Sequence, residues 1–193
     1  MYTTIPCIIL CGGKSSRMGE DKSLLPFKNY DTLIHYQYTK LSEIFKNVYI
    51  SSKIDKFNFK ANLIYDQNQE ISSPMVALSS IINKLNSDKV FIITVDTPFV
   101  KKETIDTLLE KSQDYKITIA KDKNRTHNLC GVFNKSIKNT IDKLIKEDIH
   151  KVNFLIKQTN NYNTILFEDE LQFINLNTVE DYNKALEISN HYM

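Results

Sequence analysis

Thirteen consecutive residues near the start of the chain combine glycines with cations: Leu10-Cys11-Gly12-Gly13-Lys14-Ser15-Ser16-Arg17-Met18-Gly19-Glu20-Asp21-Lys22. Three of the chain's four glycines fall inside this stretch. Glycine lets a backbone turn sharply and approach a ligand closely, and unshielded N–H groups can cradle phosphate oxygens. Arg17 and Lys22 add fixed positive charge, so the chemistry suits a triphosphate. Lys14, Ser15 and Ser16 fall where the backbone would meet phosphate oxygens, while Glu20 and Asp21 temper the charge, Asp21 being placed to orient Lys22. An ordinary strand-to-helix turn would have the same composition. A second candidate is Asp96, which ends a run too apolar for an edge strand (Val90-Phe91-Ile92-Ile93-Thr94-Val95) and precedes Pro98. A carboxylate there lies at the carboxyl end of a sheet, where open α/β folds bind ligands. Its other reading is the N-cap of the next helix.

Two familiar phosphate loops are excluded by spacing. Gly13-Lys14-Ser15 supplies the second half of a Walker A loop, but Ile8 stands where its first glycine must be. Gly12, Gly13 and Gly19 do not give the G-x-G-x-x-G of a dinucleotide fold.

The elements that must position these groups alternate. Apolar runs predict strands at 5–11, 47–52, 62–65 and 89–95, separated by helices near 32–45 and 74–85. Unbroken Ile and Val runs suit strands covered on both faces, so the expectation is an α/β fold with a mostly parallel central sheet between helical layers. Further on, a helix is expected at 101–111, strands at 115–120 and 130–133, an exposed connection at 121–125, a helix at 136–147 and a polar surface turn at 158–163. A last helix should cover 178–188, with Thr178 as N-cap and Glu180 and Asp181 at its positive end. No repeat or composition break divides residues 1–193, so one domain is expected.

At 193 residues, 41% hydrophobic and 25% charged, the composition is that of a globular protein with a substantial core. A net charge of +2 implies no global attraction to nucleic acid or anionic membrane, so any anion site is local. No apolar run approaches the ~20 residues of a membrane span, and the first residues lack the basic start of a signal peptide. Cys7, Cys11 and Cys130 form no C-x-x-C pair, which fits reduced thiols in a cytoplasmic protein.

The first loop resembles the signature of the molybdenum cofactor guanylyltransferases, L-A-G-G-x-S-x-R-M-G-x-D-K, with Cys11 replacing alanine. The resemblance runs from about Ile5 to Leu186. It extends to Asp96-Thr97-Pro98 and to Asn175-Leu176-Asn177-Thr178-Val179-Glu180-Asp181, which is similar to the family's N-x-N-T-P-E-D. It implies a three-layer Rossmann-like nucleotidyltransferase fold, with the N-terminal part binding GTP and the C-terminal part contributing to the molybdopterin side. The implied reaction joins GMP from GTP to the phosphate of molybdenum-molybdopterin and releases pyrophosphate. Asp96 is then the Mg²⁺ ligand, and Lys22 and Arg17 the triphosphate contacts. Leu10, Cys11, Gly12 and Gly13 would meet the nucleotide through their backbone, Ser51 would stand near the base, and Asp66 would accept from guanine or ribose. Asn175 and Asn177, two apart and facing one way on an extended chain, would serve the pterin. Implied partners are GTP, molybdenum-molybdopterin, and molybdenum-insertion proteins or molybdoenzyme chaperones.

Departures are Ser73 and Ala77 in place of the glycines of the family's G-P-L-A-G, and Asn128 in place of a proline after His127. With Asn124 and Arg125 nearby, His127 reads as a surface or substrate-edge residue rather than a general base. Cytidylyltransferases of the same pterin usually read L-A-A-G, so Gly12 favours the larger base. Sugar-phosphate nucleotidyltransferases carry a different loop. A catalytically silent nucleotide- or molybdopterin-binding protein is the reading from another class. The enzymatic reading requires the tips of the first and fourth strands to lie side by side, with Lys22 and Asp96 on the same face.

Overall fold

The computed structural model describes residues 3–12, 21–67 and 71–191, the last two without their side chains. Arg17, Gly13, Lys14, Ser15, Ser16 and Glu20 lie outside the described residues.

Period-2 burial builds the centre. In β1 (Cys7–Leu10) and β4 (Lys89–Thr94), Cys7, Ile9, Phe91 and Ile93 face one core, while Ile8, Leu10, Val90 and Ile92 face another. Both faces being apolar, the strands must be covered twice. On the first face lie α1 (Leu33–Ser42), α3 (Lys102–Glu110) and α6 (Val179–His191), contributing Leu33, Ile34, Leu41, Ile105, Leu108 and Ala185. On the second lie α2 (Pro74–Lys84), α4 (Lys138–Lys146) and α5 (Val152–Thr159), contributing Met75, Leu78, Ile81, Ile141, Leu144 and Leu155. The result is the three-layer α/β fold expected.

β2 (Val48–Ser52), β3 (Asn62–Tyr65), β5 (Ile117–Lys121), β6 (Thr126–Asn134) and β7 (Tyr162–Leu166) complete a sheet of order β3-β2-β1-β4-β6-β5-β7. Among the described strands, β6 alone runs against its neighbours. Leu10 pairs with both Ser51 and Thr94, and Ser52 with Tyr65, so the first four strands end at nearly one level. That shared carboxyl edge carries the candidate groups.

The starts of α1 and α2 are chemically marked. Thr32 accepts from the His35 N–H, and Ser73 from the Val76 N–H with Pro74 in the first turn. Asp21 accepts from the Ser23 N–H at the head of a 3-10 turn, Lys22–Leu24. No helix among the described residues is long and apolar enough to cross a membrane.

Three expectations change. The polar stretch at 158–163 is no simple surface turn: it holds the end of α5, a left-handed Asn160 (φ 54°) and the start of β7. The strand expected at 130–133 starts at Thr126 and returns antiparallel from β5. The connection at 121–125 is not wholly exposed, because Asp122 is buried and its carboxylate accepts from the Asn124 and Arg125 N–H groups at 2.7 Å each. The register shift between Ile119 and Ala120 follows, and there the backbones crowd. A Cβ on Gly131 would fall 2.0 Å from the Thr118 carbonyl oxygen, so this position tolerates only glycine.

Candidate active site

The edge groups converge on one ammonium. Lys22 Nζ lies 2.7 Å from Asp96 Oδ2 and 3.3 Å from Asn177 Oδ1. Residues from the first loop, the end of β4 and the C-terminal segment thus meet within one hydrogen-bond radius. Both charged side chains are less than a fifth exposed (19% and 17%), so the pair is only partly screened by water. Thr94 Oγ1 donates to the other Asp96 oxygen at 2.5 Å, which fixes the carboxylate plane. Asp96 is therefore not a helix N-cap: α3 begins at Lys102 after Lys101.

Asp21 does not orient Lys22 through its carboxylate. That group accepts from Ser23 at N–H and Oγ and pairs with Lys56. Burial would raise its pKa, but these bonds hold it below the ordinary carboxylate value.

β1 ends in committed backbone. The Leu10 carbonyl accepts from Val95 N–H at 3.1 Å, and Cys11 N–H donates to the Ser51 carbonyl at 2.9 Å. Gly12, one residue on, is exposed, and a Cβ there would meet nothing within 4 Å. The Cys11 thiol is buried and its pKa pushed up to about 11 by desolvation, so it is an inert space-filler. Cys7 and Cys130 are likewise buried free thiols.

Ser51 and Asp66, on adjacent strand ends, form a second small group. Ser51 Oγ donates to Asp66 Oδ1 at 3.3 Å, and burial raises the Asp66 pKa above the ordinary value. The Ser51 hydroxyl and the nearby Lys53 charge offset that rise only in part.

The C-terminal asparagines are not on an extended chain. Asn177 N–H donates to the Asn175 carbonyl at 3.1 Å, a tight turn around fully buried Leu176. Leu176 N–H donates to the Asp96 carbonyl at 2.9 Å, which docks this turn on the β4 tip. The Asp181 carboxylate holds the N–H groups of Asn177 and Thr178 at 3.1 and 2.9 Å. Among the described residues Asn175 Oδ1 is buried without a hydrogen-bond partner, a cost a folded protein normally avoids.

His127 is not a surface residue. It is 8% exposed, its Nε2 lies 2.8 Å from Asp122 Oδ2, and its ring stacks on Phe173 at 4.2 Å. Burial lowers its pKa despite the carboxylate beside it. Arg125 Nη2 also reaches the Phe173 carbonyl at 3.3 Å, so this hairpin buttresses the segment that leads into Asn175. Ser73 does what the family's glycine cannot: its Oγ caps α2 and lies 3.1 Å from His150 Nδ1.

A family model described as the MobA-like NTP transferase domain matches residues 7–162. The chain belongs to that family. Within it, a molybdenum cofactor guanylyltransferase of Campylobacter jejuni subsp. doylei is 44% identical over 92% of this chain and 93% of its own. One from Helicobacter pylori is 33% identical over 95% of this chain and 92% of its own. Among solved structures, the molybdopterin-guanine dinucleotide biosynthesis protein A of Archaeoglobus fulgidus shares the fold. It has a TM-score of 0.82 at 19% identity, covering 97% of this chain and 100% of that one. The MobA-like match stops short of Asn175 and Asn177, yet the fold returns both to the β4 tip.

Sequence reasoning missed the supports behind Asp96. Gln37 and Lys40, one turn apart on α1, reach four carbonyls between residues 94 and 100. Their only advance signal was two polar side chains on a helix that has to bury one face.

Proposed function

We propose that this protein transfers GMP from GTP to the phosphate of molybdenum-molybdopterin, releasing pyrophosphate and forming the guanine dinucleotide form of the cofactor. The meeting of Lys22 with Asp96 and Asn177 carries this reading. It joins a phosphate-side cation, an acid at the sheet edge and a C-terminal amide in one cluster. The names of the relatives supply the substrate class.

In the reaction, an oxygen of the molybdopterin phosphate attacks the α-phosphorus of GTP in line. The bond from that phosphorus to the oxygen bridging to the β-phosphate breaks, and pyrophosphate leaves with the electron pair. The attacking monoester is already an anion near neutral pH, so the protein needs no strong general base. Positioning and charge neutralisation are its tasks. Lys22, released from Asp96, holds the departing phosphates together with Arg17. The backbone at Leu10, Cys11, Gly12 and Gly13 receives the nucleotide, with Ser51 and Asp66 on the base and ribose side. Asn175, whose buried oxygen lacks a donor among the described residues, and Asn177 receive the pterin.

The cluster fits a divalent cation. Asp96 turns one oxygen to a cation already, and its hard carboxylate is the one or two such ligands that Mg²⁺ takes beside phosphates and water. No group of three His, Cys, Asp or Glu ligands occurs among the described residues, and Asp96 is the carboxylate that would hold the ion beside the nucleotide phosphates. Bound there, Mg²⁺ would polarise the α-phosphate and screen its charge from the nucleophile. The same reading places the protein in the cytoplasm and pairs it with molybdenum-insertion proteins or molybdoenzyme chaperones.

Pyrophosphate release from Mg²⁺-GTP and molybdopterin, run in competition with CTP, tests this. Preferential use of GTP supports it. A preference for CTP, or no release with either, overturns it.

A further inference from the structure

Asp96 stands on a stretch with no regular structure of its own: after Thr94 the chain turns through Thr97 and Pro98 before α3 begins at Lys102. Besides the bonds to Leu10 and Leu176, the neighbouring helix holds that stretch. Gln37 Nε2 donates to the carbonyls of Thr94 and Thr97, each at 3.3 Å. Lys40 Nζ donates to those of Pro98 and Val100 at 2.8 and 2.7 Å. Two side chains on one face of α1 therefore hold four carbonyls around Asp96, and Gln37 is 1% exposed.

This arrangement is costly for stability alone. The Lys40 ammonium is largely shielded from water, and among the described residues no carboxylate pairs with it. A buried charge held only by carbonyls costs more than a methionine filling the same space. Carbonyls turned to water would need neither side chain. The gain lies in geometry: the backbone on both sides of Asp96 cannot shift while these bonds stand.

We propose that Gln37 and Lys40 are positioning residues for Asp96, clamping residues 94–100 so that its carboxylate meets the metal–triphosphate in one orientation. The inference rests on the reading of Asp96 as the nucleotide-side acid. Outer groups that orient a ligating side chain typically contribute about 10–100-fold to metal affinity or activity.

Mn²⁺ binding to the intact protein in the presence of GTP, followed by the electron paramagnetic resonance of free Mn²⁺, provides the test. Gln37→Met and Lys40→Met should each weaken Mn²⁺ binding by about tenfold or more and lower kcat by a similar factor. The KM for molybdopterin should stay within about twofold, and the Tm should not fall in proportion to the lost activity. Should Lys40→Met fail to fold, Lys40→Arg keeps the charge while losing the point contact with both carbonyls, and it carries the same expectation. Asp96→Asn is the control. Loss of Mn²⁺ binding there, with normal binding and kcat in folded Gln37 and Lys40 variants, overturns the clamp alone. Retained binding in Asp96→Asn overturns the reading of Asp96 itself.

Discussion

Exchanging the charges of Lys22 and Asp96 separates what the pair does for folding from what it does for transfer. At 2.7 Å and an effective dielectric constant of about 20, the gross attraction is roughly 6 kcal/mol. Desolvation of two groups that are mostly shielded offsets most of it. The net value should resemble a charged hydrogen bond, about 1.5–3 kcal/mol. Asp96→Asn should then lower the Tm by about 3–12 °C in a chain of this size. Lys22→Glu, which sets two carboxylates together, should lower it further. Neither loss unfolds a protein with about 5–15 kcal/mol to spare. Turnover should nevertheless fall by at least about 10²-fold in each, because a fixed charge facing the transferring phosphates is lost. The double variant Lys22→Glu with Asp96→Lys restores the ion pair and should recover most of the Tm, while turnover stays at the level of the single variants. Calorimetry and a coupled pyrophosphate assay read the two quantities. Turnover within tenfold of the parent in either single variant, or recovery in the double variant, would refute the assignment.

Other outcomes follow from neighbouring features. Asp66 is raised above the ordinary carboxylate value by burial, so its charge destabilises the fold above that raised pKa and not below the unfolded one. Asp66→Asn should therefore raise the Tm at pH 7, lose that gain toward pH 3 and weaken GTP binding in calorimetric titration. His127 is lowered by burial, so the fold keeps its full stability above about 6.5 and loses it as pH falls from there toward the lowered value. His127→Gln should flatten that slope in urea midpoints measured from pH 7 to pH 5. Gly131→Ala should cost about 3 kcal/mol or more in urea unfolding, because the clash is with backbone rather than a movable side chain. Asn177→Ala should raise the KM for molybdopterin and leave that for GTP nearly unchanged.

The sheet was legible because β1 and β4 are too apolar to sit anywhere but between two layers. Asp96 was legible because it ends such a run just before a proline. Lys22 followed from the loop's spacing, and its closeness to Asp96 from the parallel pairing of those strands. What stayed hidden depends on contacts far apart in sequence. His127 sits among charged neighbours, and nothing local says that Asp122 folds under to meet it or that Phe173 covers its ring. Gln37 and Lys40 bond carbonyls 57 to 60 residues away, and carbonyls leave no mark on side-chain identity. The short α5 could have been found: Val152, Leu155, Ile156 and Thr159 are spaced for one helical face. The turn at Asn175–Asn177 could not, since it is set by Leu176 docking on β4.

Lys22 and Asn177 stand 155 positions apart. A nascent chain that has released its glycine loop and β4 from the ribosome still lacks the residue that completes this cluster. A contact between positions so far apart carries a large loop-closure cost in folding. On the proposed reading, half-made copies can hold a sheet without holding the segment that carries Asn175 and Asn177.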